Sequence, residues 1–136
     1  MGLRLEAIDT NLILRAIIND APAQADKVYE LLDTSASMFY VPDLAITEVV
    51  YNLEGDFYGK WDRETIVNAL GSFLKTPRVD YNKLLFDRVF ELYLKHPKLS
   101  FNDCYLAAHV ADRERTPIWT FDKAFAKQAK EAKLLG

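Results

Sequence analysis

Four short strand-like runs alternate with longer segments of helical period, and this alternation most narrows the folds open to the chain. Leu3 to Ile8 alternates loosely and stops at Asp9, while Met38-Phe39-Tyr40-Val41 is a compact apolar and aromatic run ended by Pro42-Asp43. Pro77-Arg78-Val79-Asp80 has room for a very short third strand, and Pro117-Ile118-Trp119-Thr120 reads as the fourth. Consecutive strands joined through helices pair in parallel, because a parallel partner needs a crossover connection. The pattern therefore predicts an α/β fold with a short parallel sheet flanked by helices. With 136 residues and no repeat or low-complexity tract, one domain spanning 1–136 with a single core is expected.

The helical segments carry their own punctuation. Leu12, Ile13, Leu14, Ile17 and Ile18 lie on a first helix that Asn19-Asp20-Ala21-Pro22 breaks, and Ala25, Val28, Tyr29, Leu31 and Leu32 define a second. A third runs from Leu44 to Leu53 and leads into the glycine-bearing loop Glu54 to Lys60. Asp62 predicts an N-cap for a helix reaching Leu74, and a further helix stops before Pro97. The helix opened by Ser100-Phe101-Asn102-Asp103 is apolar nearly all round through Ala111, which predicts a central, buried position. Lys123 to Lys133 reads as a closing helix, with Lys127 to Lys133 as its solvated face.

Acidic residues fall at the ends of these elements. Asp9 stands where the first strand stops and Asp122 just behind Thr120 at the end of the fourth, so neighbouring strands would project both into one crevice at the carboxyl edge of the sheet. Asp103 opens the apolar helix, and Glu48 lies inside the helix after the second strand. Each has a plain structural reading: Asp9 and Asp122 as helix caps, Asp103 in a capping box with Ser100, and Glu48 as a solvated glutamate. Taken together they point further. Gathered carboxylates repel one another unless a cation neutralises them, and oxygen donors without Cys or His suit Mg²⁺ or Mn²⁺. Such a site at a sheet edge can activate water and stabilise a leaving oxygen in phosphoryl transfer.

Composition removes several alternatives. Cys104 is the only cysteine, so an internal disulfide and a multi-cysteine zinc site are both excluded, and a reducing cytoplasm is the simplest location. No apolar run approaches the ~20 residues that span a bilayer. The formal net charge of −3 argues against tight duplex binding, which draws on Lys and Arg, but bound divalent cations would invert the sign of an acidic pocket. His96 and His109 share no metal-ligand spacing, and Cys104 has no base paired with it.

Ile8-Asp9-Thr10-Asn11, Thr47-Glu48, Asn102-Asp103-Cys104-Tyr105-Leu106-Ala107-Ala108 and Thr120-Phe121-Asp122-Lys123-Ala124-Phe125, in this order and at these distances, resemble the PIN domain family. The small VapC-type toxins are the subgroup nearest in size. The resemblance implies a three-layer sandwich with a parallel sheet of four or five strands. It also implies a Mg²⁺- or Mn²⁺-dependent endoribonuclease acting on single-stranded or structured RNA, as the toxin of a type II toxin–antitoxin pair. Asp9, Glu48, Asp103 and Asp122 would then be the catalytic and metal-binding acids, with Thr10, Asn11 and Thr120 as supporting polar residues. Homodimerisation and silencing by an antitoxin protein are further implications.

Two features depart from that pattern. Only Ala132 to Leu135 could serve as the final edge strand often seen in the family. The segment Gly55 to Asp62 is unusually aromatic, and Lys60, Trp61 and Arg63 are candidate RNA contacts within and beside it. Packing is the preferred reading for its aromatics Phe57, Tyr58 and Trp61. Two other functions compete with the nuclease. One is a receiver-like or phosphatase-like domain using Asp9 as phospho-acceptor or nucleophile, although no second acid adjoins Asp9, whose nearest upstream acid is Glu6. The other is a catalytically silent PIN-like domain that binds RNA or protein.

Overall fold

The computed structural model describes residues 5–110, 117–130 and 132–136. It divides into two compact units, Met1–Asn82 and Lys83–Gly136. Leu3 and Arg4 of the expected first strand, Ala111 of the apolar helix and Glu131 of the closing helix lie outside the described residues.

The first unit is built on three parallel strands, β1 (Leu5–Ala7), β2 (Met38–Tyr40) and β3 (Val79–Asp80), with β2 in the middle. Glu6 and Phe39 are register partners across β1 and β2, and Phe39 and Val79 across β2 and β3. The ladder continues past the strand ends, where Ile8 N–H donates to the Tyr40 carbonyl at 2.9 Å and Val41 N–H to the Asp80 carbonyl at 2.8 Å. Ile8, Phe39 and Val41 are buried at this carboxyl edge, so their apolar side chains anchor the backbone immediately before Asp9 and Pro42.

Helices α1 (Thr10–Ile18) and α2 (Pro22–Thr34) cross from β1 to β2. Asn19 ends α1 in the left-handed conformation, φ 58°, which an asparagine tolerates better than most residues, and Pro22 occupies the first turn of α2, where its missing N–H costs nothing. Helices α3 (Asp43–Glu54) and α4 (Arg63–Leu74) cross from β2 to β3, with a 3₁₀ turn, Asp56–Tyr58, between them. Helix α3 buries Ala45, Ile46, Val49, Val50 and Leu53, a stripe at helical spacing. Its opposite face carries Leu44, Glu48 and Tyr51, all exposed. Asp62 caps α4 by accepting the Thr65 N–H at 2.8 Å. Hydrogen bonds from the Thr65 backbone and side chain hold the Asp62 carboxyl below its ordinary pKa.

The second unit pairs α5 (Lys83–Lys95) with α6 (Phe101–His109), then β4 (Ile118–Thr120) with β5 (Ala132–Leu134) through α7 (Lys123–Gln128). Its core is aromatic: the Phe86 ring lies 5.9 Å from Phe90 and 6.4 Å from Phe101, and Tyr93 meets Phe101 edge-on at 5.1 Å. Two sequence expectations need correction here. Helix α6 buries one face only, formed by Phe101, Cys104, Ala107 and Ala108, while Leu106 is 41% exposed and Asn102 is exposed. Small and apolar residues all round permit burial on any side, but packing against α5 selects one. The closing helix also ends at Gln128 rather than Lys133. Ala129 is extended, and Ala132 to Leu134 run parallel to β4, so the last residues do form the edge strand. A hydrogen-bonded ladder, closed by Leu135 N–H on the Thr120 carbonyl at 2.8 Å, overrides the helix propensity of this lysine- and alanine-rich stretch. Trp119 and Lys133 are direct cross-strand partners, with the ammonium 5.8 Å from the ring centroid.

The parallel strands alternating with helices match the fold class expected from the sequence. Among the described residues no helix is long and apolar enough to cross a membrane.

Candidate active site

In the first unit the β1 ladder delivers Asp9 to the N-terminus of α1. Its extended backbone, φ −92° and ψ 174°, lets Oδ1 accept the Leu12 N–H at 3.2 Å. One residue on, the Thr10 hydroxyl donates to Glu48 Oε2 at 2.7 Å across 38 positions of sequence. The donor sits on the first turn of α1 and the acceptor on the outer face of α3, so this bond ties the second acid to the residue beside the first. Glu48 is exposed, as its plain reading requires, yet it is not simply solvated. Neither Asp9 Oδ2 nor Glu48 Oε1 accepts a hydrogen bond among the described residues.

In the second unit Asp103 is half-buried on the first turn of α6 and completes a capping box. The Ser100 hydroxyl accepts the Asp103 N–H at 3.1 Å, and Asp103 Oδ2 accepts the Ser100 N–H at 3.3 Å. Asp122 is exposed and caps α7, Oδ1 accepting the Phe125 N–H at 3.0 Å. The Thr120 hydroxyl accepts the Asp122 N–H at 2.9 Å and so orients the residue at the strand end. Asp103 and Asp122 have separate partners within this unit, and no hydrogen bond joins them. All three aspartates thus perform the capping roles legible in the sequence, each engaging one carboxylate oxygen.

The supporting and RNA-contact candidates divide similarly. Asn11 is exposed on α1 and lines a cleft of about 570 Å³ between α1 and α2, together with Leu12, Arg15, Lys27 and Leu31. Lys60 is exposed, in the left-handed region at φ 52°, and pairs with Asp56 at 3.2 Å. Trp61 and Tyr58 are half-buried and joined by a 2.9 Å bond from the indole N–H to the Tyr58 carbonyl, in keeping with packing. Phe57 departs from the packing reading, because it stands 87% exposed in the middle of the 3₁₀ turn. Arg63 begins α4 and is half-buried. Sequence reasoning passed over Tyr51, three residues after Glu48 and therefore on the same helix face, where it is 77% exposed. The i, i+3 spacing was the available signal.

The donor chemistry can be tested against a divalent cation. Among the described residues no three Asp, Glu, His or Cys side chains gather as a metal-holding group. Mg²⁺ is commonly held by only one or two carboxylates, with water and substrate phosphates completing its octahedron. The Asp9 and Glu48 pair offers hard oxygen donors linked through Thr10, each with an oxygen outside the hydrogen-bond network, so the donor set fits that mode.

No curated protein matches the chain significantly. The PIN domain family matches it over residues 7–131, a span that begins two residues before Asp9 and takes in Glu48, Asp103 and Asp122. The chain therefore belongs to the PIN domain family, whose members are generally nucleases.

Proposed function

We propose that the protein is a divalent-metal-dependent endoribonuclease, working as one domain over 1–136, with Asp9, Glu48, Asp103 and Asp122 as its acidic residues. The observation that carries this reading is the Thr10 to Glu48 hydrogen bond, which ties a second carboxylate on α3 to the residue that follows Asp9 at the start of α1. Membership of a nuclease family supports the same chemistry. Asp9 and Glu48 would hold Mg²⁺ or Mn²⁺ in the first unit, and Asp103 and Asp122 are the acids that the family pattern adds from the second. The metal would polarise the scissile phosphate and lower the pKa of the attacking water. Thr10 orients Glu48, Thr120 orients Asp122, and the cap bonds hold Asp9 and Asp122 at their helix ends, which limits the reorganisation needed when charge develops. Asn11 is assigned a supporting polar role, and Lys60, Trp61 and Arg63 are RNA contacts in this reading.

The biological setting that suits it is a cytoplasmic VapC-type toxin, homodimeric and held inactive by an antitoxin protein. Purified protein should cleave RNA with Mg²⁺ or Mn²⁺ and stop when the metal is chelated. The Asp9→Asn, Asp103→Asn double variant should be inactive, and retained cleavage in that variant would overturn the assignment.

One observation favours a second reading, a silent PIN domain that binds RNA or protein. Three of the four acids have capping roles, so their presence does not by itself require catalysis. Calorimetry separates the two: a silent domain takes up neither Mg²⁺ nor Mn²⁺, whereas the nuclease binds one of them and loses it with Asp9→Asn.

A further inference from the structure

Just beyond Glu48 on the outer face of α3 lies a pocket of about 330 Å³ that no role has yet absorbed, lined by Tyr51, Asn52, Glu54, Gly55, Asp56 and Phe57. Its volume is within the ~300–1,000 Å³ range of small-ligand sites. Two aromatic side chains on its wall are exposed by 77% and 87%, so the core does not account for them. We infer that this pocket is a nucleobase subsite that stacks one unpaired guanine of the RNA substrate on Tyr51 and Phe57. The choice of RNA as ligand rests on the nuclease reading.

The pocket's polar chemistry selects the base. Four backbone donors in and after the turn are already used: Gly55 N–H on the Asn52 carbonyl at 3.1 Å, Gly59 N–H on Asp56 at 3.1 Å, Lys60 N–H on Gly55 at 3.0 Å and Trp61 N–H on Leu53 at 2.9 Å. The Asn52 amide N–H₂ donates to the Glu48 carbonyl at 2.7 Å, leaving Asn52 Oδ1 as the end of that amide able to face the pocket. Glu54 and Asp56 are carboxylates, which only accept when ionised. The polar side chains of the rim, Asn52, Glu54 and Asp56, thus offer acceptors. Among the four RNA bases only guanine offers two adjacent donors on its pairing edge, N1–H and the N2 amine. Adenine, cytosine and uracil place an acceptor beside their donor. Unpaired bases are commonly read in this way, by stacking on aromatic rings and hydrogen bonding along the pairing edge.

Position and rigidity agree with this role. Tyr51 follows Glu48 by three residues, a rise of about 4.5 Å along the helix, so a base held there belongs to a nucleotide adjoining the phosphate at Glu48. The four turn bonds, with Gly59 at φ 91°, where a side chain would be strained, present Phe57 on a fixed backbone and reduce the ordering cost of binding. Lys60, paired with Asp56, sets a positive charge where the carboxylates would otherwise repel the RNA backbone.

Short RNAs, uridine throughout except for a central guanine, inosine or adenine, serve as probes with the full-length protein in the presence of a chelator, where no divalent metal is left to support cleavage. The guanine oligonucleotide should bind tightest, and inosine, which lacks only the N2 amine, should bind several-fold more weakly. Tyr51→Ala and Phe57→Ala should each weaken guanine binding by about tenfold, the scale of one lost base–aromatic stack. Tyr51→Trp should retain binding, and Glu54→Gln with Asp56→Asn should erase the difference between guanine and inosine. Equal affinity for the three probes, or alanine variants that bind like wild type, would overturn the subsite, and wild-type cleavage would still leave the nuclease reading standing. Guanine preference in a protein that cleaves nothing with any divalent metal would uphold the subsite and sink the nuclease. If the double alanine variant instead converts a dimer to a monomer with RNA affinity unchanged, or the pocket takes an arginine-bearing peptide and no base, the proposal falls.

Discussion

Replacing Asp9 by asparagine and, separately, by alanine divides two jobs assigned to one carboxylate. Structurally, Asp9 Oδ1 accepts the Leu12 N–H and caps α1. Asparagine keeps an acceptor oxygen at that position and is about as good an N-cap as aspartate, whereas alanine removes the acceptor at a cost of about 1 kcal/mol. The asparagine variant loses only the favourable charge at the helix N-terminus, a few tenths of a kcal/mol at an exposed site. On melting, alanine should therefore lower Tm by roughly 3–5 °C and asparagine by less than about half of that. Cleavage should respond differently. Removing a group that merely orients a metal ligand costs about 10–100-fold, so losing the ligand charge itself should lower the rate by at least about 100-fold in both variants. The assay pairs urea or thermal unfolding with initial rates on an RNA substrate at saturating Mg²⁺ and Mn²⁺. An asparagine variant that cleaves like wild type would leave Asp9 with the cap as its only job. One as unstable as the alanine variant would refute the capping argument.

Thr10→Val keeps the side-chain shape and deletes the hydroxyl that holds Glu48, so cleavage should fall by about tenfold with stability changed by less than about 0.5 kcal/mol; unchanged rate and metal affinity would show that Glu48 needs no such support. Asp62 makes a prediction in pH. Its folded-state pKa is depressed by the Thr65 hydrogen bonds, so its stabilisation is fully present above the unfolded carboxylate pKa and is lost as pH falls through the lower folded value. Wild type should thus lose stability more steeply than Asp62→Asn on the acid side of the carboxylate range, and parallel urea-unfolding curves for the two would contradict the assignment.

Local punctuation was legible because its interactions span three or four residues. Asp62 bonding Thr65, the Ser100 and Asp103 box, and the Asp9 and Asp122 caps all form within one turn, so residue type and spacing suffice to find them. The alternation of strand and helix was legible for a related reason, since buried stripes such as Ala45, Ile46, Val49, Val50 and Leu53 repeat at the period of the element itself. The two misread helices came where one local pattern serves two structures. Lysine and alanine from Lys127 onward favour a helix, and only a neighbouring strand with free backbone groups turns Ala132 to Leu134 into β5. Helix α6 is apolar over most of its circumference, and its packing against α5 decides which side is covered.

The acids divide along the same line. By itself the sequence determined which residues are acidic, where they stand on their elements, and the family order they follow. Tertiary structure alone decided that Thr10 reaches Glu48 across 38 residues and that Tyr51 and Phe57 stay uncovered beside it. Those facts depend on how separate helices meet, and side-chain contacts between distant segments leave no periodic trace in the chain.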